Sequence, residues 1–377
     1  MLFELRGKLN QKWDILLGIA GLVLFVLLWW VLAEALSIKR PVVQGFDPRL
    51  PSSIVDQDST GAKINLDSIA RADSLLFANA TEFVRVYPLL PRPDRVLNSY
   101  GPLLQEDALA KNTGRSVWLN LQGYFWALVI AIPLGFLIGL FPLFRGLFSK
   151  QVDALRYLPL SALTGLFIIW FGIEDQMKIA FLAFGIMVYL LPVVVQRIDE
   201  VDDVYLKTVF TLGATNWQTI RTVYFPAVMS KLMDDIRVLT AISWTYIIIA
   251  ELLNRQGGIG SLIYIKARQG QVDRVFAVLL VIILIGFIQD RVFVYMDRRL
   301  FPHKYYKTTL RGIRQVELAI FALLLYLAVL FLLPVLGLNL SALGATAVYG
   351  SVLIGVACVA VMLIGELEIW QSLKKSR

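Results

Sequence analysis

Apolar residues along the chain gather into eight long runs, at approximately 15–37, 116–141, 154–173, 177–196, 230–252, 275–296, 316–336 and 343–365. A bilayer core takes about 20 apolar residues per crossing helix. The pattern therefore predicts an all-α, polytopic membrane protein with about eight transmembrane helices. Residues 6, 8 and 12 ahead of the first run are basic, and Ala33-Glu34-Ala35 mimics a cleavage site, as in a secretory leader. The run is longer than a leader's apolar stretch of about 7–15 residues, so it reads as a retained anchor.

The polar segments set the expected orientation. Arg145, Lys150 and Arg156 lie in one short loop; Arg298, Arg299, Lys304, Lys307, Arg311 and Arg314 lie in another; Lys374, Lys375 and Arg377 close the chain. Basic loops stay on the cytoplasmic side. This places both termini in the cytoplasm, together with segment 197–229, and puts the Lys- and Arg-free turns 174–176 and 337–342 outside. Residues 38–114 become a large extracytoplasmic insertion, bordered by prolines and with some helix about 66–86. The expected organisation is 1–37, tail and first helix; 38–114, insertion; 115–302, core; 303–314, basic cytoplasmic linker; 315–377, C-terminal hairpin and tail.

Composition agrees with the pattern. The chain is 58% hydrophobic with a net charge of +8, and its mean hydropathy is +0.68. With the first run an anchor, the excess charge is an orientation signal, and no basic stripe interleaved with aromatics points to nucleic acid. One cysteine, Cys358, and one histidine, His303, supply no metal-binding set, and a Ser/His/Asp triad would have to use His303 in a basic loop. No catalytic residue, metal site or cofactor is expected in this chain.

One polar stretch inside the core stands out, "TLGATNWQTIRTVYFPA" at 211–227. Thr215 and Gln218 fit a capping box, and Trp217, Ile220 and Tyr224 recur at helical spacing. Pro226 should stop that short helix. Upstream, "DDVYLKTVFTL" offers a second helical piece, Gly213 supplies the backbone freedom for a bend between them, and Ala214 allows a close approach. On the residues alone, the bent pair reads equally as an interfacial amphipathic element anchored by Trp217 or as a surface for another protein.

The flanking motifs are "LPRPDRVL", "IPLGFLIGLFPLFR", "LRYLPLSALTGLFIIWFGI", "IIIAELLNRQGGIGSLI" and "DRRLFP". With the central stretch they run in order over roughly residues 90–302, and the sequence resembles the permease subunits of binding-protein-dependent ABC importers, in the nitrate, sulfonate, taurine and bicarbonate branch. That family's cytoplasmic loop carries Glu-Ala-Ala, three residues, Gly, nine residues, Ile, one residue, Leu-Pro. Here Gly213 and Pro226 keep the thirteen-residue separation, with Val223 and Phe225 at the Ile and Leu positions. The triplet is Lys207-Thr208-Val209, a base replacing the family acid. The insertion and the helices after 315 lie outside the family core.

The resemblance implies a type I importer permease core in a bacterial plasma membrane. It implies a second permease copy, a homodimer, and two cytoplasmic ATPases that bind ATP and Mg, since no GxxxxGK[ST] occurs here. It also implies an extracytoplasmic solute-binding protein, with lipid around the whole. Lys207, Gly213, Ala214, Thr215, Trp217, Gln218 and Pro226 become the ATPase-coupling residues.

For the translocation pathway, Thr240, Ser243, Trp244, Ile247 and Glu251 fall on one face of the fifth run. Polar groups facing lipid are costly, so they should face protein or water; the alternative is ordinary helix packing. Ser161 and Thr164 after Pro159 form a weaker second stripe. Asp290 and Arg291 read as a local ion pair, and Ala347, Ser351 and Gly355 as a small-residue packing seam. An ion-coupled secondary transporter is the alternative function. It would want interior carboxylates or broken helices in paired halves, whereas the acidic residues here mostly sit at helix ends and no convincing repeat relates the halves.

Overall fold

In hydrocarbon every backbone N–H and C=O must be satisfied within its own segment, so long apolar runs become helices. The computed structural model describes residues 10–41, 83–253, 257–305, 312–335 and 345–375. In chain order it contains α1 (Gln11–Ala35), β1 (Ile38–Pro41), β2 (Phe83–Val86), α2 (Pro93–Asn98), α3 (Tyr100–Gln105), α4 (Leu109–Leu140), α5 (Pro142–Leu155), α6 (Leu160–Phe171) and α7 (Asp175–Asp199). There follow α8 (Asp203–Thr211), α9 (Asn216–Thr219), a π-helical segment (Ile220–Tyr224), α10 (Phe225–Leu253), α11 (Ile259–Arg268), α12 (Val272–Leu300), α13 (Ile313–Val335) and α14 (Ala345–Lys375). Among the described residues, seven helices are long and apolar enough to cross a membrane, or eight if α5 and α6 together form one broken span.

The third apolar run is where the break falls. It supplies only the 12-residue α6, which spans roughly 18 Å at 1.5 Å per residue and is too short to cross alone. Pro159 sits at the N-cap of α6. Proline disfavours helical backbone in the residue before it, so α5 cannot run into α6 and the two meet at 106°. The helix expected about 66–86 lies mostly outside the described residues, and its last four positions are β2, which pairs antiparallel with β1 in the register Ile38↔Val86. Phe-Val-Arg-Val is a β-favouring string.

The chain divides into two compact units, residues 1–115 with 255–283, and 116–254 with 284–377. In the first, Glu34 near the end of α1 accepts bonds from Arg85 (2.7 Å), Arg92 (3.2 Å) and the Tyr87 hydroxyl (3.1 Å). Trp29 Nε1 donates to the Pro91 carbonyl at 2.9 Å. Asp107 binds Lys266 and Arg274, each at 2.7 Å. The ties through Glu34 and Trp29 fasten α1, whose apolar surface is otherwise exposed.

In the second unit the core lies along α7, whose Phe181, Leu182, Ile186, Leu190 and Val194 are buried, packed with Val228, Leu232 and Ile236 of α10. Where α4 meets α7, Gly135 and Gly139 stand four apart. A Cβ on them would lie 2.5 Å from Val194 and 2.6 Å from Ile198, so only glycine allows this approach. The C-terminal hairpin packs on this core. Phe331 of α13 meets Trp118 and Phe125 of α4 at ring separations of 5.1 and 5.3 Å. Glu366 of α14 accepts bonds from Tyr295 (2.7 Å) and Arg299 (2.6 and 2.7 Å). Of the small-residue seam, Gly355 faces Tyr326 of α13, 3.5 Å from where its Cβ would be; the side chain of Ala347 lies outside the described residues. Asp290 does not pair with Arg291. It binds Arg237 of α10, while Arg291 lies over the Phe287 ring at 4.8 Å, because adjacent helical residues point about 100° apart and cannot face each other.

Candidate functional site

The polar stretch between α7 and α10 is built by local rules. The Asp202 side chain caps α8 by accepting from the Val204 amide at 2.9 Å. The other end of α8 is a Schellman closure: the Gly213 amide donates to the Phe210 carbonyl (3.0 Å) and the Ala214 amide to Val209 (3.1 Å). Gly213 takes φ +77°, the left-handed region. Nothing lies within 4 Å of where its Cβ would be, so glycine is required by the backbone angle and not by packing. Thr215 and Gln218 then make the capping box of α9, with the Thr215 amide donating to Gln218 Oε1 at 2.8 Å.

Beyond α9 the chain departs from the expected stop. The helix passes through Ile220–Tyr224 in π geometry and enters α10, with Pro226 as its second residue. Proline lacks an N–H and its ring crowds the carbonyl four residues back. The wider π turn accommodates both, so Pro226 reshapes the helix instead of ending it. The extra residue per turn also breaks the 3.6 phase. Trp217 points to solvent while Ile220 and Tyr224 are half-buried, and Thr219 is the buried member, its hydroxyl bonded to the Thr215 carbonyl at 3.0 Å.

The outer surface of this segment is apolar. Leu212 is 81% exposed and Trp217 70%, with Val204, Tyr205 and Phe210 also exposed. Lys207 stands among them, exposed and with no ion pair among the described residues. Large apolar side chains held open on a capped, ordered segment mark a surface to be covered. Behind them the segment is clamped. Arg197 at the end of α7 makes a bidentate pair with Asp235 of α10 (2.7 and 2.8 Å) and bonds Glu200 (2.7 Å). Lys231 donates to the Glu200 carbonyl at 3.0 Å, and Arg145 of α5 binds Asp199 at 2.8 Å. The Arg197 hydrogen bond, the largest influence, holds the Glu200 carboxyl below its ordinary range. This clamp was not foreseen, because its partners come from three helices far apart in sequence.

The stripe on α10 is buried against protein. Ser243 and Asn120 of α4 exchange bonds (3.0 and 3.1 Å), and Glu251 accepts from Ser116 at 2.6 Å. The Thr240 hydroxyl donates to the Ile236 carbonyl at 3.1 Å, which also accepts from Tyr124 of α4. Trp244 Nε1 donates to Gln289 of α12 at 2.9 Å. Ser116, Asn120 and Tyr124 were missed, although their four-residue spacing marks one face of α4 that meets this stripe. Ser161 and Thr164 lie apart from it: Ser161 is exposed, and the half-exposed Thr164 bonds the Ser161 carbonyl at 2.8 Å. His303 lies 3.5 Å from Ser230 Oγ, but the nearby Asp297 is bound by Lys304 and Tyr305, so no described carboxylate orients that ring.

The described chain is a multi-span helical protein with a capped polar segment between two core spans, and comparison with known proteins shows what it is similar to. The model of binding-protein-dependent transport system inner membrane components matches residues 131–302. An ABC transporter permease protein of Methanocaldococcus jannaschii is 28% identical over 218 residues, 56% of this chain and 82% of the relative. The taurine transport system permease of Escherichia coli is 27% identical, covering 56% of this chain and 79% of the relative. An aliphatic sulfonates transport permease of Bacillus subtilis is 25% identical, covering 56% and 77%. Residues 131–302 thus carry the inner-membrane domain of binding-protein-dependent transport systems, and the matches support an ABC importer permease of the taurine and sulfonate branch. The ion-coupled carrier is not favoured.

Proposed function

We propose that this permease carries a small organic anion, of the sulfonate or taurine class, inward by alternating access, and that residues 203–226 receive the push of a partner ATPase. The permease works as a homodimer, with ATP and Mg held by the ATPase and solute delivered by an extracytoplasmic binding protein. Both termini and the 203–226 segment face the cytoplasm. The observation that carries this reading is the exposed, capped α8–α9 segment, continuous through the π turn with α10. A docked helix moves as a unit, and here the unit extends into the membrane. A displacement of α9 therefore reaches Ser243 and Glu251 along one helix, without crossing a flexible loop.

The sulfonate assignment rests on the relatives' names, and the coupling role on the exposed apolar surface. Reconstitution tests both. Permease in proteoliposomes with its ATPase and binding protein should accumulate labelled 2-aminoethanesulfonate only when ATP is supplied on the ATPase side. Accumulation driven by an ion gradient without ATP would overturn the reading.

A further inference from the structure

The first unit contains a half-open cavity of about 740 Å³, formed by the chain from Val86 to Pro102 and by the turn from Arg268 to Arg274 between α11 and α12. The volume lies in the range of small-molecule sites, roughly 300–1,000 Å³. Pro88, Pro91 and Pro102 form part of its wall. Proline backbone is fixed at φ, so this wall is shaped before any ligand arrives.

The charges of the cavity are unequal in their partners. Arg274 is neutralised by Asp107 at 2.7 Å and Glu106 at 3.2 Å. Arg95 and Arg268 form no ion pair among the described residues. Arg95 lies over the Tyr87 ring at 4.6 Å, and Arg268 lies 5.8 Å from the Tyr264 ring with its Nη1 donating to the Tyr264 hydroxyl at 3.5 Å. Stacking uses the face of the Arg95 guanidinium and leaves its in-plane N–H donors available, in a fork that matches an oxyanion, while Arg268 spends one of its five donors on Tyr264 and keeps the others. Asp273 is the one carboxylate in the lining. The balance is two positioned cations against one anion, beside apolar proline and valine surface.

We infer that this cavity is a binding site for a small organic oxyanion, with Arg95 and Arg268 gripping the charged group and the proline wall taking its carbon chain. The inference deepens the proposed function, because the expected orientation places the cavity on the outer side, where solute arrives. It lies in a different part of the chain from the α10 stripe. A free solute and an acidic side chain of a docked protein would present the same chemistry, and the inference is for the free solute.

The test uses the full-length permease in nanodiscs without ATPase or binding protein. Ethanesulfonate is titrated and followed by ligand-observed NMR, with ethanol as the uncharged control. Saturable binding is expected for ethanesulfonate alone. Arg95→Gln and Arg268→Gln should each weaken it about tenfold, equivalent to roughly 1.4 kcal/mol. Asp273→Asn should tighten it, since a like charge is removed. Lys150→Gln, a cation outside the cavity, should leave it unchanged. No saturable binding, equal binding of ethanol, or indifference to both arginine changes would overturn the site. Those outcomes are separable from failure of the proposed function, because the wild-type proteoliposome assay would still report ATP-driven uptake. Binding that is intact without ATP-driven uptake would keep the site and remove the importer substrate.

Discussion

At Gly213 one backbone angle decides the shape of the coupling segment. Left-handed backbone costs an L-residue about 1–2 kcal/mol, and a β-branched residue tolerates it worst. Because the space around a Cβ there is open, Gly213→Val should strain only this turn. The expected outcome is normal membrane insertion with the ATPase either undocked or hydrolysing without transport, read as moles of solute moved per ATP. An unchanged ratio would take the coupling role away from this turn. Glu251 makes a different residue-scale case. It is fully buried and accepts from Ser116, and a buried polar group left without its partner costs about 1–3 kcal/mol. Glu251→Gln keeps the volume and removes the charge, so uptake should change while the complex still assembles on a sizing column. Uptake identical to wild type at every solute concentration would reduce Glu251 to a packing residue.

Between elements, the clamp at the base of α7 and α10 is the testable joint. Glu200 titrates below its ordinary 4.5 because Arg197 bonds its charged form. A carboxylate whose pKa is depressed on folding adds stability that is present above the unfolded pKa and lost as pH falls through the folded one. Glu200→Gln should therefore lower the melting temperature at pH 7, by the equivalent of about 1 kcal/mol or less for so exposed a pair. The gap from wild type should close below pH 4.5. A gap that persists at low pH would mean the effect is not ionic. The same scale shows what local reading misses. The capping box and the glycine turn were legible because their partners lie within a few residues. The continuation through Pro226 was not, because it depends on Val228, Leu232 and Ile236 of α10 being buried in the core, and that packing stabilises a helix whose proline favours an end.

At the scale of the whole molecule, two features lie outside the matched core: the C-terminal hairpin and the insertion. The hairpin is fastened by Glu366 on Tyr295 and Arg299 and by Phe331 on Trp118 and Phe125. Glu366→Ala leaves Arg299 without its carboxylate, and the thermal midpoint of the purified protein should fall by the equivalent of about 1–3 kcal/mol. No change would show that the ring contacts alone hold the hairpin. Orientation is tested by single cysteines in a background with Cys358 replaced. A cysteine at Asp58 should react with an impermeant external label in intact cells, and ones at Thr215 or His303 should not. Labelling at Thr215 from outside would invert the topology.

The sequence alone determined the membrane class, nearly all the spans, the loop charges and the α8–α9 turn. Each follows from interactions between near neighbours or between one segment and its solvent, and such information is written locally. Tertiary structure decided the rest. It brought Ser116 and Asn120 to Glu251 and Ser243, and Arg197 to Asp235. It turned Asp290 from its neighbour Arg291 toward Arg237, and placed Arg95 and Arg268 on one cavity. These pairings join residues dozens to more than a hundred positions apart. Their existence depends on which helix faces pack together, a choice made by the summed burial of many side chains and not by the motif at either end.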